Sequence, residues 1–278
     1  MIIGIVGLGL IGGSLGLDLC RLNHRVWGVS RSAQTCAEAV QMSAIHYGST
    51  DFHAIPDLSH TDIIVLCTPI DRIIPCLREL AGLVSTKTII TDVASVKASI
   101  VPSAMQIYAR FIGSHPMAGK ESQGIRSAEL GLFQGRTCVV CPGESQATDT
   151  VKQLWQSVGM TICECTPTDH DRAVAWISHL PVMISAALIH TCQNEPNLEL
   201  RKLAQTLASS GFRDTSRVGG GNPHLGLCMA QCNREQLLHA LTIYQTHLAQ
   251  IKEWIELENW QALLSLLAQT ALDRQLFL

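Results

Sequence analysis

The chain has 278 residues, 47% of them hydrophobic and 15% charged, with a formal net charge of −3. That composition excludes a disordered or low-complexity protein, and the length allows one large domain or two moderate ones. Both charge signs are dispersed and no long basic run occurs, so no nucleic-acid partner and no anionic membrane partner is expected.

Ile2 to Val6 reads as a short apolar strand that runs straight into Gly7-Leu8-Gly9-Leu10-Ile11-Gly12 and then an apolar-periodic helix through Leu15, Leu19 and Leu22. Strand, glycine-rich turn and helix in this order form a dinucleotide-binding fingerprint. Gly7 makes the tight turn, Gly9 lets the backbone approach a pyrophosphate, and Gly12 permits close helix-on-strand packing. Gly7, Gly9, Leu10, Ile11 and Gly12 are therefore expected to line the cofactor. A second strand, Arg25 to Val29, supplies the context that the motif needs.

The end of that second strand bears on which cofactor fits. An NAD site usually has Asp or Glu there to accept from the ribose 2′-hydroxyl. This chain has Ser30-Arg31-Ser32 instead. A guanidinium can pair with a 2′-phosphate and two hydroxyls can donate to it, so NADP is expected. The alternative is a solvated Arg31 and an NAD site without a carboxylate.

Short β-rich runs alternate with helical ones up to about residue 165: Asp62 to Cys67, Thr88 to Thr91, Arg110 to Gly113, Thr137 to Val140 and Met160 to Cys165 follow the first two. Such alternation predicts an α/β fold with a Rossmann-type, doubly wound parallel sheet. From Asp169 onward helical periodicity takes over, which predicts an all-α C-terminal half and a division into residues 1–166 and 167–278. Asp169 to Cys192 reads as one apolar helix that Pro181 should kink or unwind near His179. A half so apolar and so short is expected to pair with a second copy, giving a homodimer through the helical domain.

The first strand begins at residue 2, which leaves no room for a cleaved leader, and no apolar run approaches the roughly 18 residues of a spanning helix. A cytoplasmic protein is expected. Eleven cysteines, several in apolar patterns, read as reduced core residues. The pairs Cys138/Cys141 and Cys163/Cys165 lack the turn chemistry of a zinc site, so no metal is expected.

Ligands of open α/β sheets bind beyond the carboxyl ends of the strands. Those ends are Cys67-Thr68-Pro69, which should lie along the cofactor, Asp92-Val93-Ala94-Ser95, and Gly113-Ser114-His115. Ser95 and His115 should sit near the nicotinamide end. His115 alone among eleven histidines ends a strand, and it is the leading candidate for a general base, with a satisfied structural histidine as the alternative. In the helical half, Arg213 and Arg217 share a face if their helix continues and could grip a carboxylate; a surface ion pair with Asp214 is the other reading. His179 on an apolar helix would by itself be a core histidine.

GLGLIGGS, CTP, TDVASVK, GSHPMAG, SHLP and GFRDTSR, in this order over nearly the whole chain, resemble the prephenate/arogenate dehydrogenases of tyrosine biosynthesis. The resemblance implies oxidative decarboxylation of a cyclohexadienol. His115 would be the catalytic base and Ser95 a substrate and nicotinamide contact, with His179 and Arg217 holding substrate and Arg213 at a basic position beside them. Arogenate with NADP is the preferred reading and prephenate the alternative. Glu121, six residues past His115, is a candidate acceptor for the arogenate ammonium group. Two other classes stay open: a β-hydroxyacid or imine reductase, although no lysine accompanies the His179 segment, and a cofactor-sensing protein without turnover.

Overall fold

Eight strands, β1 (Ile2–Val6), β2 (Arg25–Val29), β3 (Tyr47–Ser49), β4 (Ile63–Leu66), β5 (Ile89–Asp92), β6 (Phe111–Pro116), β7 (Thr137–Cys141) and β8 (Thr161–Glu164), form one sheet in the order β3-β2-β1-β4-β5-β6-β7-β8. The computed structural model describes residues 1–120 and 122–277. Helices α1 (Leu10–Arg21), α2 (Ala33–Gln41), α3 (Ile70–Ala81), α4 (Val101–Ile107) and α5 (Ser145–Ser157) lie between strands. Successive residues of β4 enter opposite cores: Ile63 and Val65 pack with Leu15 and Leu19 of α1, while Ile64 and Leu66 pack with Ile73 and Leu77 of α3. Helices on both faces make the sheet doubly wound, as the alternating pattern predicts.

Two details differ from the sequence expectation. Strand β3 is only three residues long and includes Gly48, too short for a period-two signal. The sheet is also not wholly parallel, because β7 runs antiparallel to β6. A parallel return needs a crossover, usually helical, of a dozen or more residues. Between Pro116 and Thr137 the described residues hold only the 3-10 turn Ile125–Ser127, and the chain comes back along the same edge.

Beyond β8 the chain is helical: α6 (Pro167–Val174), a π turn (Ala175–His179), α7 (Leu180–Gln193), α8 (Leu198–Leu207), α9 (Ser210–Ser216), a 3-10 turn (Arg217–Gly220), α10 (Pro223–Cys232), α11 (Arg234–Glu256) and α12 (Trp260–Asp273). Two compact units result, Met1–Asn233 and Arg234–Leu278, and in the second α11 packs on α12. The π turn has a local cause. Pro181 has no N–H to give to the carbonyl of Ile177, and its ring crowds that group, so the hydrogen-bond ladder slips just before it.

The slip does not break the helix. Residues Pro167–Gln193 remain one helix of 27 residues that is long and apolar enough, by length and composition alone, to cross a membrane, which corrects the expectation of no such run. Pro181 suggests an interruption in the sequence that the π turn absorbs. His170, Asp171 and His179 on this helix are buried within the first compact unit.

The turn that begins with Arg217 presses on α7. Gly219 donates its N–H to Ser185 Oγ at 2.8 Å, and a Cβ at Gly219 would lie 2.5 Å from the Ala186 nitrogen. Gly219→Ala is expected to lower stability by roughly 1–3 kcal/mol. A melting curve on the variant checks the loss.

Candidate active site

Strand register brings the expected loops to one edge of the sheet. Val6 pairs with Leu66, Leu66 with Asp92, and Thr91 with Ile112. Gly7, Cys67 to Pro69 and Val93 to Ser95 therefore leave the sheet side by side, with His115 near the end of β6. Sheet order reverses between β1 and β4, with β2 on one side and β5 on the other. Such a switch point leaves a crevice for a ligand.

The cofactor end is shaped by backbone. Gly7 has φ +100°, a conformation open to glycine, and a Cβ there would lie 2.5 Å from the Cys67 carbonyl oxygen. At Gly12 a Cβ would lie 2.0 Å from the Gly7 oxygen, whereas nothing lies within 4 Å of one at Gly9. No side chain caps the N-terminus of α1, where Leu10 and Ile11 are partly exposed. Thr68 Oγ1 is buried without a hydrogen-bond partner. A close turn, an open approach, uncapped N–H groups and an orphan hydroxyl fit a dinucleotide pyrophosphate.

Ser30, Arg31 and Ser32 connect β2 to α2. Ser32 caps α2 by accepting from the Thr35 N–H at 3.2 Å, which leaves its own proton to donate. Arg31 is exposed. A guanidinium, a hydroxyl donor and a helix N-terminus at one strand end suit an anion.

The reacting end is dense with buried polar groups. His115 Nδ1 lies 2.8 Å from His170 Nε2, and His170 Nδ1 lies 2.7 Å from Asp171 Oδ1. Asp171 also accepts the backbone N–H groups of Lys97 at 2.7 Å and Ala98 at 2.9 Å. The Lys97 ammonium, fully buried, is paired with Asp92. Asp92 accepts the Ser114 N–H at 3.1 Å, and Ser114 Oγ accepts from Trp155 Nε1 at 3.0 Å. Burial holds the His115 imidazole well below the ordinary histidine range, and His170, Lys97 and His179 push the same way. It is neutral at neutral pH, the form a base requires.

His179 is fully buried. Its Nδ1 lies 3.2 Å from the Asn233 amide nitrogen and its Nε2 donates to the Ser95 carbonyl oxygen at 3.2 Å. Ser95 Oγ, by contrast, is buried without a hydrogen-bond partner. Arg213 lies in α9, and Arg217 follows its last residue, Ser216, and opens the 3-10 turn. Arg213 Nε is 3.8 Å from Asp214 Oδ1, both side chains being mostly exposed. Arg217 is exposed as well. Glu121 lies outside the described residues.

His170, Asp171, Lys97 and Asn233 belong to this cluster without having been singled out from sequence. A lysine inside an otherwise apolar segment after a strand end was the one signal available, since a buried ammonium needs a buried partner.

Comparison with known proteins gives concordant matches. Residues 15–164 match the family model "Prephenate dehydrogenase, nucleotide-binding domain", and residues 166–269 match "Prephenate dehydrogenase, dimerization domain". The arogenate dehydrogenase of Synechocystis, a solved structure, is 48% identical with TM-score 0.86 and full coverage of both chains. The prephenate dehydrogenase of A. aeolicus, solved in complex with hydroxyphenyl propionate and NAD+, is 26% identical with TM-score 0.93, covering 99% of this chain and 97% of that one. A prephenate dehydrogenase of Bacillus subtilis is 29% identical, covering 92% of this chain and 70% of its own. The chain is a dehydrogenase that uses a nicotinamide cofactor, and it belongs to the prephenate dehydrogenase family.

Proposed function

We propose that this enzyme converts arogenate to tyrosine by oxidative decarboxylation with NADP, with prephenate as the alternative substrate. The observation that carries the reading is a neutral, buried His115 near the end of β6 together with a buried, orphan Ser95 hydroxyl in the loop after β5, both at strand ends that border the cofactor crevice. The 48% identity to an arogenate dehydrogenase supports the choice of substrate. Ser30-Arg31-Ser32, without a carboxylate, supports the phosphorylated cofactor.

When bound, the nicotinamide supplies the hydride acceptor. His115 takes the proton of the ring hydroxyl as the carbinol hydrogen leaves as hydride. The electron pair of the ring–carboxylate bond then flows into the ring as carbon dioxide departs, and the proton returns to the phenolic oxygen. Ser95 Oγ donates to the substrate and orients it, and Arg217 neutralises a substrate carboxylate, with Arg213 adding to the local positive field. His179, with both ring nitrogens engaged, acts by holding the Ser95 backbone. Glu121 is kept as the candidate ammonium acceptor.

We also propose a cytoplasmic homodimer, with a functional division near residue 166. The dimerization-domain match supports the pairing. So do the exposed apolar side chains of α8 (Leu198, Leu200, Leu203 and Leu207) and of α12 (Trp260, Leu264 and Leu267). The long helix Pro167–Gln193 has only 28% of its most apolar stretch buried, so it too has surface for a second copy to cover.

Reduction of NADP followed at 340 nm with arogenate, prephenate or a hydroxyacid tests the whole reading. Turnover with arogenate is expected, and turnover with the hydroxyacid alone overturns it. Arg31→Ala should weaken NADP by roughly 1.5–3 kcal/mol and leave NAD little changed, as titration of the two cofactors will tell. His115→Asn should keep the fold and cofactor binding while turnover drops by roughly two to four orders of magnitude.

The pH dependence follows from the depressed His115. The unfolded chain takes up a proton near the ordinary histidine value of about 6.5, and the folded one does so only at lower pH. The unfolded state thus binds more protons in that window, and stability rises with pH across it. The melting temperature should fall as pH drops below about 6.5, with His179, also depressed by burial, adding to the slope. The acid limb of kcat/KM should lie below that same value, and a limb at or above it would contradict a neutral buried base.

A further inference from the structure

We propose that His170 and Asp171 are positioning residues for the reaction: they fix His115 with its proton on Nδ1 and its lone pair on Nε2, and they spread the charge that forms when Nε2 accepts the substrate proton. The proposal rests on the reading of His115 as the base.

The hydrogen-bond directions follow from the far end of the chain of contacts. Backbone N–H groups can only donate, and two of them, from Lys97 and Ala98, fill one position on each Asp171 oxygen. The carboxylate therefore acts as an acceptor toward His170 Nδ1, 2.7 Å away, and that nitrogen carries the proton. With a single proton on His170, Nε2 is then the nitrogen with the lone pair. At 2.8 Å it must accept, and its donor is His115 Nδ1–H. One proton remains for a neutral His115 and it is accounted for, so Nε2 is the basic atom. The opposite tautomer would set a lone pair of His170 against a carboxylate oxygen at hydrogen-bond distance, in a place sealed from water: Asp171 and His170 are 2% and 1% exposed.

During turnover the substrate O–H bond breaks and an Nε2–H bond forms, while the Nδ1–H bond stays on His115. The imidazolium charge is drawn along Nδ1–H toward His170 and offset by the Asp171 carboxylate. No proton leaves the cluster and no further reactant is needed. Asp171 has a second effect on the same site, because Lys97 and Ala98 follow Ser95 by two and three residues. The carboxylate that orients the base also anchors the loop that carries the orphan hydroxyl.

Two measurements on the full-length enzyme test this. In the unmutated protein labelled with ¹⁵N-histidine, at neutral pH, His115 should show a protonated Nδ1 and an unprotonated Nε2, and the reverse pattern overturns the proposal without touching the question of whether His115 is the base. In His170→Leu, kcat should fall at least tenfold while KM and the Kd for NADP stay within about threefold. His170→Gln, whose side-chain oxygen can accept from Nδ1–H, should regain a large part of that loss. A folded Leu variant with kcat within threefold of the parent sinks the proposal, as does a Gln variant no better than Leu. Loss of activity in His115→Asn alongside such a result would leave the base assignment standing.

Discussion

The carboxylate of Asp171 accepts from Lys97 N and Ala98 N, which belong to the loop after β5, and from its neighbour His170 on α6. A single buried charge thus joins the strand-end loop to the helix that follows the last strand. Each partner is also constrained in turn. His170 meets His115 on β6, and Asn233 donates to the Asp171 carbonyl oxygen at 2.7 Å while its amide nitrogen touches His179. An unpaired carboxylate at this depth would be costly, so the loop, the helix and the end of β6 must all be in place together.

Around that charge the protein uses polar packing where most cores use hydrocarbon. Lys97 and Asp92 are fully buried as an ion pair between β5, β6 and the loop. Such a pair adds little net stability over a well-packed apolar substitute, because desolvation offsets attraction. Its effect here is local and chemical. The Lys97 cation helps to keep His115 neutral, and Asp92, through the Ser114 N–H, fixes the strand on which His115 sits. Trp155, 41 residues further along, closes the arrangement by donating to the Ser114 hydroxyl.

What could be read in the sequence was what the chain does locally. Gly7 and Gly12 announce themselves because their backbone conformation and close approach admit no side chain, a constraint complete within a dozen residues. His115 was legible because strand ends line the crevice of any such sheet. His170 and Asp171 were not, since a His-Asp pair in the first turns of a helix reads as an ordinary polar face, and its partners lie 55 and 74 residues earlier. Likewise, nothing in residues 117–136 announced that their path would reverse β7.

The π turn at Ala175–His179 sets an angular phase. An α-helix advances about 100° per residue, so nine residues would carry His179 roughly 180° around from His170, to the far side of the rod. One extra residue accommodated in a π turn sets that rotation back by about one step, to roughly 80°. His179 then falls between the bearings of His170 and Asp171, and all three can address the same loop. The proline that looks like a flaw in an apolar helix thereby acts as a timing device: in a helix of perfect regularity the three side chains would spread over about 180° of the rod, and with the π turn they fall within about 100°.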